Sequence, residues 1–425
     1  MTISERDKKF IWHPFTKQKG IADPIPIVKG RDSLLFDEAG NSYIDAISSW
    51  WVNLHGHANE YIAEKIYRQA LQLEQVIFAG FTHQPAVDLA ERLLQILPSG
   101  FSKIFYSDNG STSTEVALKM AIQYWWNKNG KAHNQRNKII AFNNSYHGDT
   151  FGAMSVSDRS VFTLAFHDLL FEVIFIDLPA AENISDNKSL IAAHANEIAA
   201  FIYEPLVQGA GGMNMYEPEW LNEIICMAHQ NEIICIADEV MTGFGRTGKF
   251  FASEYMHHQP DIICLSKGLT GGTMALGVTA CSQKIYEEFV DDDVLKTFFH
   301  GHSFTANPLA CTAALASLDL LEQTSTIEKI EWITEQNLLM AERLKNIKGK
   351  RQIKNIRTLG TILAYEIAEG NDEYLNSISA DITTACLQKG VYIRPLGNTV
   401  YIMPPYCITK DELAKVYEVM IGLIC

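Results

Sequence analysis

The chain reads as an α/β protein built on a mostly parallel seven-stranded sheet, followed by a smaller α+β unit. Two observations predict this. Seven short apolar runs recur through the middle of the sequence, at Ile104–Tyr106, Ile139–Phe142, Val173–Ile176, Ala200–Tyr203, Ile233–Ala237, Ile262–Leu265 and Val278–Ala280. Amphipathic stretches of helical period separate several of them, the pattern of strands joined by covering helices. Continuous apolar runs, rather than alternating ones, are what a strand needs when both sheet faces are buried.

The elements outside this region follow a different pattern. Leu309–Leu321 and Ile327–Leu344 have helical period, and Arg357–Glu366, Val391–Arg394 and Val400–Met403 read as short strands with turn residues between them. Near the amino end, turns are expected at Asp23-Pro24 and from Glu38 to Asn41. The division this predicts is an N-terminal segment, 1–55, packing with the small domain, a large domain at 56–310 and a C-terminal small domain at 311–425.

Composition narrows the functional classes. A length of 425 residues with 47% hydrophobic content is enough for two domains. Fifty acidic against 35 basic residues give a net charge of −15, and no Lys/Arg run interleaves with aromatics, so nucleic acid is not an expected partner. Met1–Lys9 lacks the apolar core of a signal peptide, and no run approaches the roughly 20 apolar residues of a membrane span. A cytoplasmic protein without a membrane role is expected. The eight cysteines, Cys226, Cys235, Cys264, Cys281, Cys311, Cys386, Cys407 and Cys425, show no C-x-x-C or Cys/His pairing. They read as reduced core residues, with no metal site.

The chemistry concentrates where strands end. The run Ile233–Ala237 leads into Asp238, and Ile262–Leu265 leads through Ser266 to Lys267. Open α/β sheets bind ligands outside the carboxyl ends of their strands, which places an acid and an amine at one crevice. Either residue alone is more often a solvated strand end. A third element joins them: Lys103–Tyr106 runs into Asn109-Gly110-Ser111-Thr112, after which Val116, Ala117, Met120, Ala121 and Tyr124 share one helical face. Free N–H groups and the positive dipole end at that helix start suit a phosphate. An amine for a Schiff base, a carboxylate for a pyridine nitrogen and a phosphate seat together point to pyridoxal phosphate.

Several motifs then resemble a known family. Trp12-His13-Pro14-Phe15-Thr16, Ser48-Ser49-Trp50-Trp51, Tyr146-His147-Gly148-Asp149-Thr150, the runs Glu204–Gly212 and Asp238–Gly248, His300-Gly301-His302-Ser303 with Asn307-Pro308, and Ile393-Arg394-Pro395 cover nearly the whole chain. They resemble the class III, fold-type I pyridoxal-phosphate aminotransferases, and among them the branch that aminates 8-amino-7-oxononanoate in biotin biosynthesis. The resemblance implies that Lys267 carries the cofactor and moves the proton, Asp238 pairs with the ring nitrogen, Val240 packs under the ring and Tyr146 stacks on its other face. It implies that Gly110 and Ser111 bind the phosphate, and that Ser303 reaches the cofactor phosphate of a partner subunit in a homodimer. Trp50, Trp51, Tyr146, Lys267, Gly301 and Arg394 are implied in substrate binding, with Glu204 and Asp149 near the cofactor.

The implied substrate ends in a carboxylate on a long apolar chain. Arg394 offers the planar two-donor clamp such a group needs, though a surface ion pair is the commoner fate of an Arg after a strand. Of the adjacent tryptophans, at most one should touch the substrate if the stretch is a strand, because neighbours in a strand face opposite ways. Two departures bear on the amino donor, which the resemblance implies is S-adenosylmethionine. Phe15 stands where many relatives have Tyr, and His302-Ser303 replaces a Pro-Thr pair. Lysine as donor stays open, as does an ω-aminotransferase acting on diamines or ω-amino acids. A non-catalytic binding protein on the same fold is the reading from another class, and retention of Lys267, Asp238, Tyr146 and Arg394 together argues against it.

Overall fold

The computed structural model describes residues 1–20, 22–130, 135–369, 376 and 378–425. Its central sheet has seven strands: β1 (Phe101–Ser107), β2 (Lys138–Phe142), β3 (Val173–Ile176), β4 (Ile198–Tyr203), β5 (Ile234–Asp238), β6 (Ile262–Leu265) and β7 (Gly277–Ser282). Their order across the sheet is β1-β7-β6-β5-β4-β2-β3. Only β7 runs against its neighbours, antiparallel to both β6 and β1. All seven coincide with apolar runs read from the sequence.

Burial explains those runs. Every residue of β4, β5 and β6 is buried, and successive side chains point to opposite faces. Ile202, Ile234, Ile236, Ile262 and Cys264 pack with Val116, Ala117, Met120, Ala121 and Tyr124 of the helix Gly110–Asn129. On the other face, Phe201, Cys235, Ala237, Ile263 and Leu265 pack with Leu221, Ile224, Ile225 and Ala228 of the helix Pro218–Gln230. Full burial of one large apolar side chain contributes about 1.5–3 kcal/mol, so two covered faces fix the sheet's position.

The first of these helices starts where the sequence places it. The Asn109 side chain accepts from Thr112 N–H at 3.0 Å, and Thr112 Oγ1 accepts from Asn109 N–H at 3.1 Å. This reciprocal cap leaves the N–H groups of Gly110 and Ser111 pointing outward from the helix start.

Beyond the central sheet the structure corrects two expectations. The stretch 357–366, expected as one strand, lies in a hairpin of Ile353–Leu359 and Ile362–Ile367, with Thr399–Ile402 as the third strand. Gly360 makes the turn at φ +58°, and a Cβ there would stand 2.2 Å from the Thr247 carbonyl carbon. The run Val391–Arg394 is a strand only at Val391–Tyr392, and it leaves the C-terminal sheet. It pairs in parallel with Ser42–Asp45, the last of three N-terminal strands. Ala46 N–H donates to Tyr392 O at 3.2 Å, and Met403 N–H donates to Ala46 O at 2.8 Å. Main-chain bonds therefore tie the two ends of the chain.

Among the described residues no helix is long and apolar enough to cross a membrane. All eight cysteines are free, five of them buried, while Cys226 and Cys407 are half-buried and Cys425 is exposed. Sequence spacing showed no Cys/His pairing, yet ligand atoms of His229, Cys235 and Asp261 lie within 4.8 Å of one another. The Asp261 carboxylate accounts for the cluster: it accepts from Cys235 N–H at 2.9 Å and stands 3.3 Å from His229 Nε2, bracing the starts of β5 and β6.

Glu239 shows how the loop after β5 is held. Its fully buried carboxylate accepts from Thr242 Oγ1 at 2.7 Å, Ala252 N–H at 2.9 Å and Ser253 N–H at 2.6 Å. Each donor left unpaired in a core costs about 1–3 kcal/mol. Glu239→Ala is expected to lower unfolding free energy by about 3 kcal/mol or more, read from urea titration of the purified protein. An unchanged urea midpoint would show that the network is not structural.

Candidate active site

Five loops at the carboxyl ends of the parallel strands enclose one cavity of about 720 Å³. It is lined by Gly110 and Ser111 after β1, Tyr146, His147 and Asp149 after β2, Glu204 after β4, Asp238 at the end of β5 and Lys267 after β6. Parallel register brings the acid and the amine together, since Asp238 pairs with Cys264, three residues before Lys267.

Asp238 is 5% exposed and held at both oxygens: Oδ1 accepts from Val240 N–H at 3.1 Å, and Oδ2 lies 2.7 Å from His147 Nδ1. His147 is fixed in turn, its N–H donating to Ser157 Oγ at 2.9 Å and its carbonyl accepting from Thr114 Oγ1 at 3.2 Å. Close contacts shape the helix start. A Cβ on Gly110 would meet Val240 Cγ1 at 2.7 Å, and one on Gly148 would meet Ser111 Oγ at 2.1 Å. Ser111 Oγ already accepts from Asp149 N–H at 3.1 Å.

Burial sets the electrostatics. It pushes the Lys267 amine down from its usual range, while Asp238, Glu204 and Asp149 pull it back. An amine so placed sheds its proton more readily, as a nucleophile must. Burial pushes Glu204 up to about 7; His147 opposes this, Asp238 adds to it, and the N–H groups of Tyr146 and Gly209, donating at 3.1 Å and 2.9 Å, oppose it. Asp149 is raised by burial, with Tyr146 and Lys267 holding it back.

The aromatic wall joins both ends of the chain to the segment after β2. Phe15 meets Trp50 and Phe162 edge-on at 5.5 Å and 5.8 Å, and Phe162 meets Tyr146 at 6.0 Å. Arg394 lies with Cζ 4.6 Å from the Trp50 ring centroid. Both tryptophans line the cavity; the expectation that only one would touch the substrate applied to a strand, and this stretch is not one. Ser48, Ser49 and Trp51 all have positive φ, at 53°, 61° and 67°, so the stretch is a tight turn and not a strand. Such conformations cost about 1–3 kcal/mol each and persist only where surroundings enforce them. Here Asp45 accepts from Ser49 N–H at 2.6 Å, and Ser48 Oγ donates to Met403 O at 2.8 Å.

Of the residues singled out in the sequence, Gly110, Ser111, Tyr146, Asp238, Val240, Lys267, Trp50, Trp51 and Arg394 line this cavity. Val240 reaches it from the turn after β5, not from an extended segment. Gly301 and Ser303 do not line it; both are exposed on this chain. His147 and Phe162 went unassigned. His147 stood inside the Tyr146–Thr150 motif, but its contact with Asp238 spans 91 positions and carries no local signal.

An amine, a braced carboxylate and a helix start at the strand ends of this fold define a cofactor-dependent group-transfer site. The family model for class-III aminotransferases matches residues 16–424, and the chain belongs to that family. It is 45% identical to the adenosylmethionine-8-amino-7-oxononanoate aminotransferase of Synechococcus elongatus, over 97% of this chain and 98% of that protein. The crystal structure of the enzyme of that name from Methanocaldococcus jannaschii superposes with a TM-score of 0.93 at 34% identity, covering 99% and 98% of the two chains. An amine transaminase of an uncultivated Pseudomonas species, solved in its PLP-bound form, matches with a TM-score of 0.89 at 28% identity, covering 97% of each chain.

Glu204 yields a prediction with a definite sign. Its folded pKa lies above the ordinary carboxylate value, so its contribution to stability is present at acid pH and lost as pH rises toward 7. The melting temperature of cofactor-free protein should therefore fall more steeply between acid and neutral pH in wild type than in Glu204→Gln. Parallel curves would show that Glu204 does not titrate there.

Proposed function

We propose that this chain transfers an amino group to 8-amino-7-oxononanoate, forming 7,8-diaminononanoate in biotin biosynthesis, with S-adenosylmethionine as donor. The observation that carries the reading is the cavity itself: one wall presents Lys267 and Asp238, the other Arg394 stacked on Trp50, with Phe15, Phe162 and Tyr146 between. An acceptor with a carbonyl at one end, a carboxylate at the other and an apolar chain between matches that sequence of surfaces. Relatives named for this reaction, similar over nearly their full length, support it.

The residues present fit pyridoxal phosphate. Bound there, it supplies an electrophilic carbon that takes up the amino group and a ring that accepts the electron pair. Lys267 Nζ would anchor it and hold and move the substrate's proton. Asp238, braced by His147, would be the acid for the ring nitrogen. Gly110 and Ser111 at the helix start would receive the phosphate. Val240 and Tyr146 would flank the ring. Arg394 takes the substrate carboxylate as a two-donor clamp, and the Trp50 face beneath it limits how far the guanidinium swings.

The active unit is a cytoplasmic homodimer. Gly301 and Ser303, exposed on this chain, are assigned to the partner's site, Ser303 at the phosphate. Residues 1–55 and 311–425 form the small domain and 56–310 the large one, a division supported by the pairing of Ser42–Asp45 with Val391–Tyr392.

The test is incubation of holoenzyme with 8-amino-7-oxononanoate and either S-adenosylmethionine or lysine, with assay of the diamine. Diamine formed with S-adenosylmethionine supports the reading, and formation with lysine alone would reassign the donor. Lys267→Ala should lose the visible cofactor band and lower turnover by roughly 10²–10⁴-fold or more. Turnover near wild type would end this reading. Arg394→Ala should lower kcat/KM for the keto acid by roughly 10- to 100-fold, the worth of one charged hydrogen-bonded contact. Unchanged kinetics would leave Arg394 as a packing partner of Trp50.

A further inference from the structure

Among the described residues Arg246 is one of the largest fully buried side chains, and neither the fold nor the proposed chemistry above has used it. Burial makes an unneutralised guanidinium costly, yet it is spent on backbone carbonyls. Nη1 donates to Pro404 O at 3.0 Å, and Nη2 donates to Trp51 O at 3.3 Å and Asn53 O at 3.1 Å. The guanidinium carbon also lies 5.2 Å from the Tyr406 ring centroid. One of these carbonyls, that of Trp51, ends the strained turn, and another, that of Asn53, follows two residues on. The Trp51 indole is held at its other end too, Nε1–H donating to Tyr401 OH at 2.9 Å. Fixed at backbone and ring, it presents its face to Lys267, whose Nζ stands 4.9 Å from the ring centroid.

The adjacent tryptophans therefore serve different cations. Trp50 lies against Arg394, Trp51 against Lys267. We propose that Trp51 is a positioning residue for Lys267, its indole face stabilising positive charge on Nζ, and that Arg246 and Tyr401 hold the indole there. The inference rests on the role given to Lys267 above. The other charged groups facing Nζ are the carboxyls of Asp238, Glu204 and Asp149; His147, Tyr146, Asp108 and Arg394 line the same cavity. All are retained in the variants below.

The readout is the visible absorbance of holoenzyme titrated with pH, which follows protonation of the nitrogen that Lys267 contributes. A cation against an indole in a desolvated site is favoured enough that its loss should lower the midpoint by about half a pH unit or more. Trp51→Leu is expected to do this. Arg246→Lys, which keeps the charge but loses the fork, should shift the midpoint the same way by less, and adding it to Trp51→Leu should shift it no further. Trp50→Leu should leave the midpoint in place while raising KM for the keto acid. A wild-type midpoint in Trp51→Leu, or an equal shift in Trp50→Leu, would overturn the inference. Should Trp51→Leu or Arg246→Lys fail to fold, Tyr401→Phe removes the indole's acceptor and keeps the ring, and an unmoved midpoint there overturns it equally. Retention of the visible band in Lys267→Ala is a separate failure, of the Lys267 role itself.

Discussion

The parallel register of β5 and β6 is the constraint on which the site depends. Pairing of Asp238 with Cys264 fixes where each strand stops, and the acid and amine emerge side by side because both strands end at the same edge. Slipping the pair by one residue would turn Asp238 toward the covering helices and exchange every buried side chain for its neighbour. The two apolar faces of β4, β5 and β6 forbid that slip. Packing far from the cavity thus sets the geometry within it.

The cavity is also where the fold accepts its electrostatic costs. Lys267, Glu204 and Asp149 all have ionisation displaced by burial, and each carboxyl is steadied by specific donors or a nearby amine. Displaced titrations of this kind, converging in one cleft with a braced acid, mark functional sites more often than structural ones. Strain collects in the same place: the Ser48–Trp51 turn holds three residues at positive φ. What the turn achieves is to aim two adjacent indoles into one space.

Much of this was legible in the sequence, because the signals were local. Unbroken apolar runs located all seven central strands, and the cap at Asn109 with its downstream periodicity located the helix start. Asp238 and Lys267 followed from the rule that ligands gather at strand ends. What was missed depended on distant partners. Gly360 within an apolar stretch concealed a hairpin, since a single glycine does not distinguish a turn from a bulge. The parallel pairing of Val391–Tyr392 with Ser42–Asp45 joins segments some 350 positions apart, and His147 meets Asp238 only after the sheet has formed. For the double tryptophan the sequence left strand and loop open, since no residue type in Ser48–Trp51 announces three left-handed conformations.

The joining of the chain's ends has a further meaning for selectivity. Trp50 follows directly from the strand Ser42–Asp45, and Arg394 follows from Val391–Tyr392, so both hang from one four-stranded sheet. Lys267 and Asp238 hang from the other, seven-stranded one. The span between guanidinium and amine is thereby set first by the separation of two sheets. With the roles proposed for Arg394 and Lys267, an acceptor one methylene too short or too long would meet that separation as a gauge, and chain length would be selected by the spacing of the sheets.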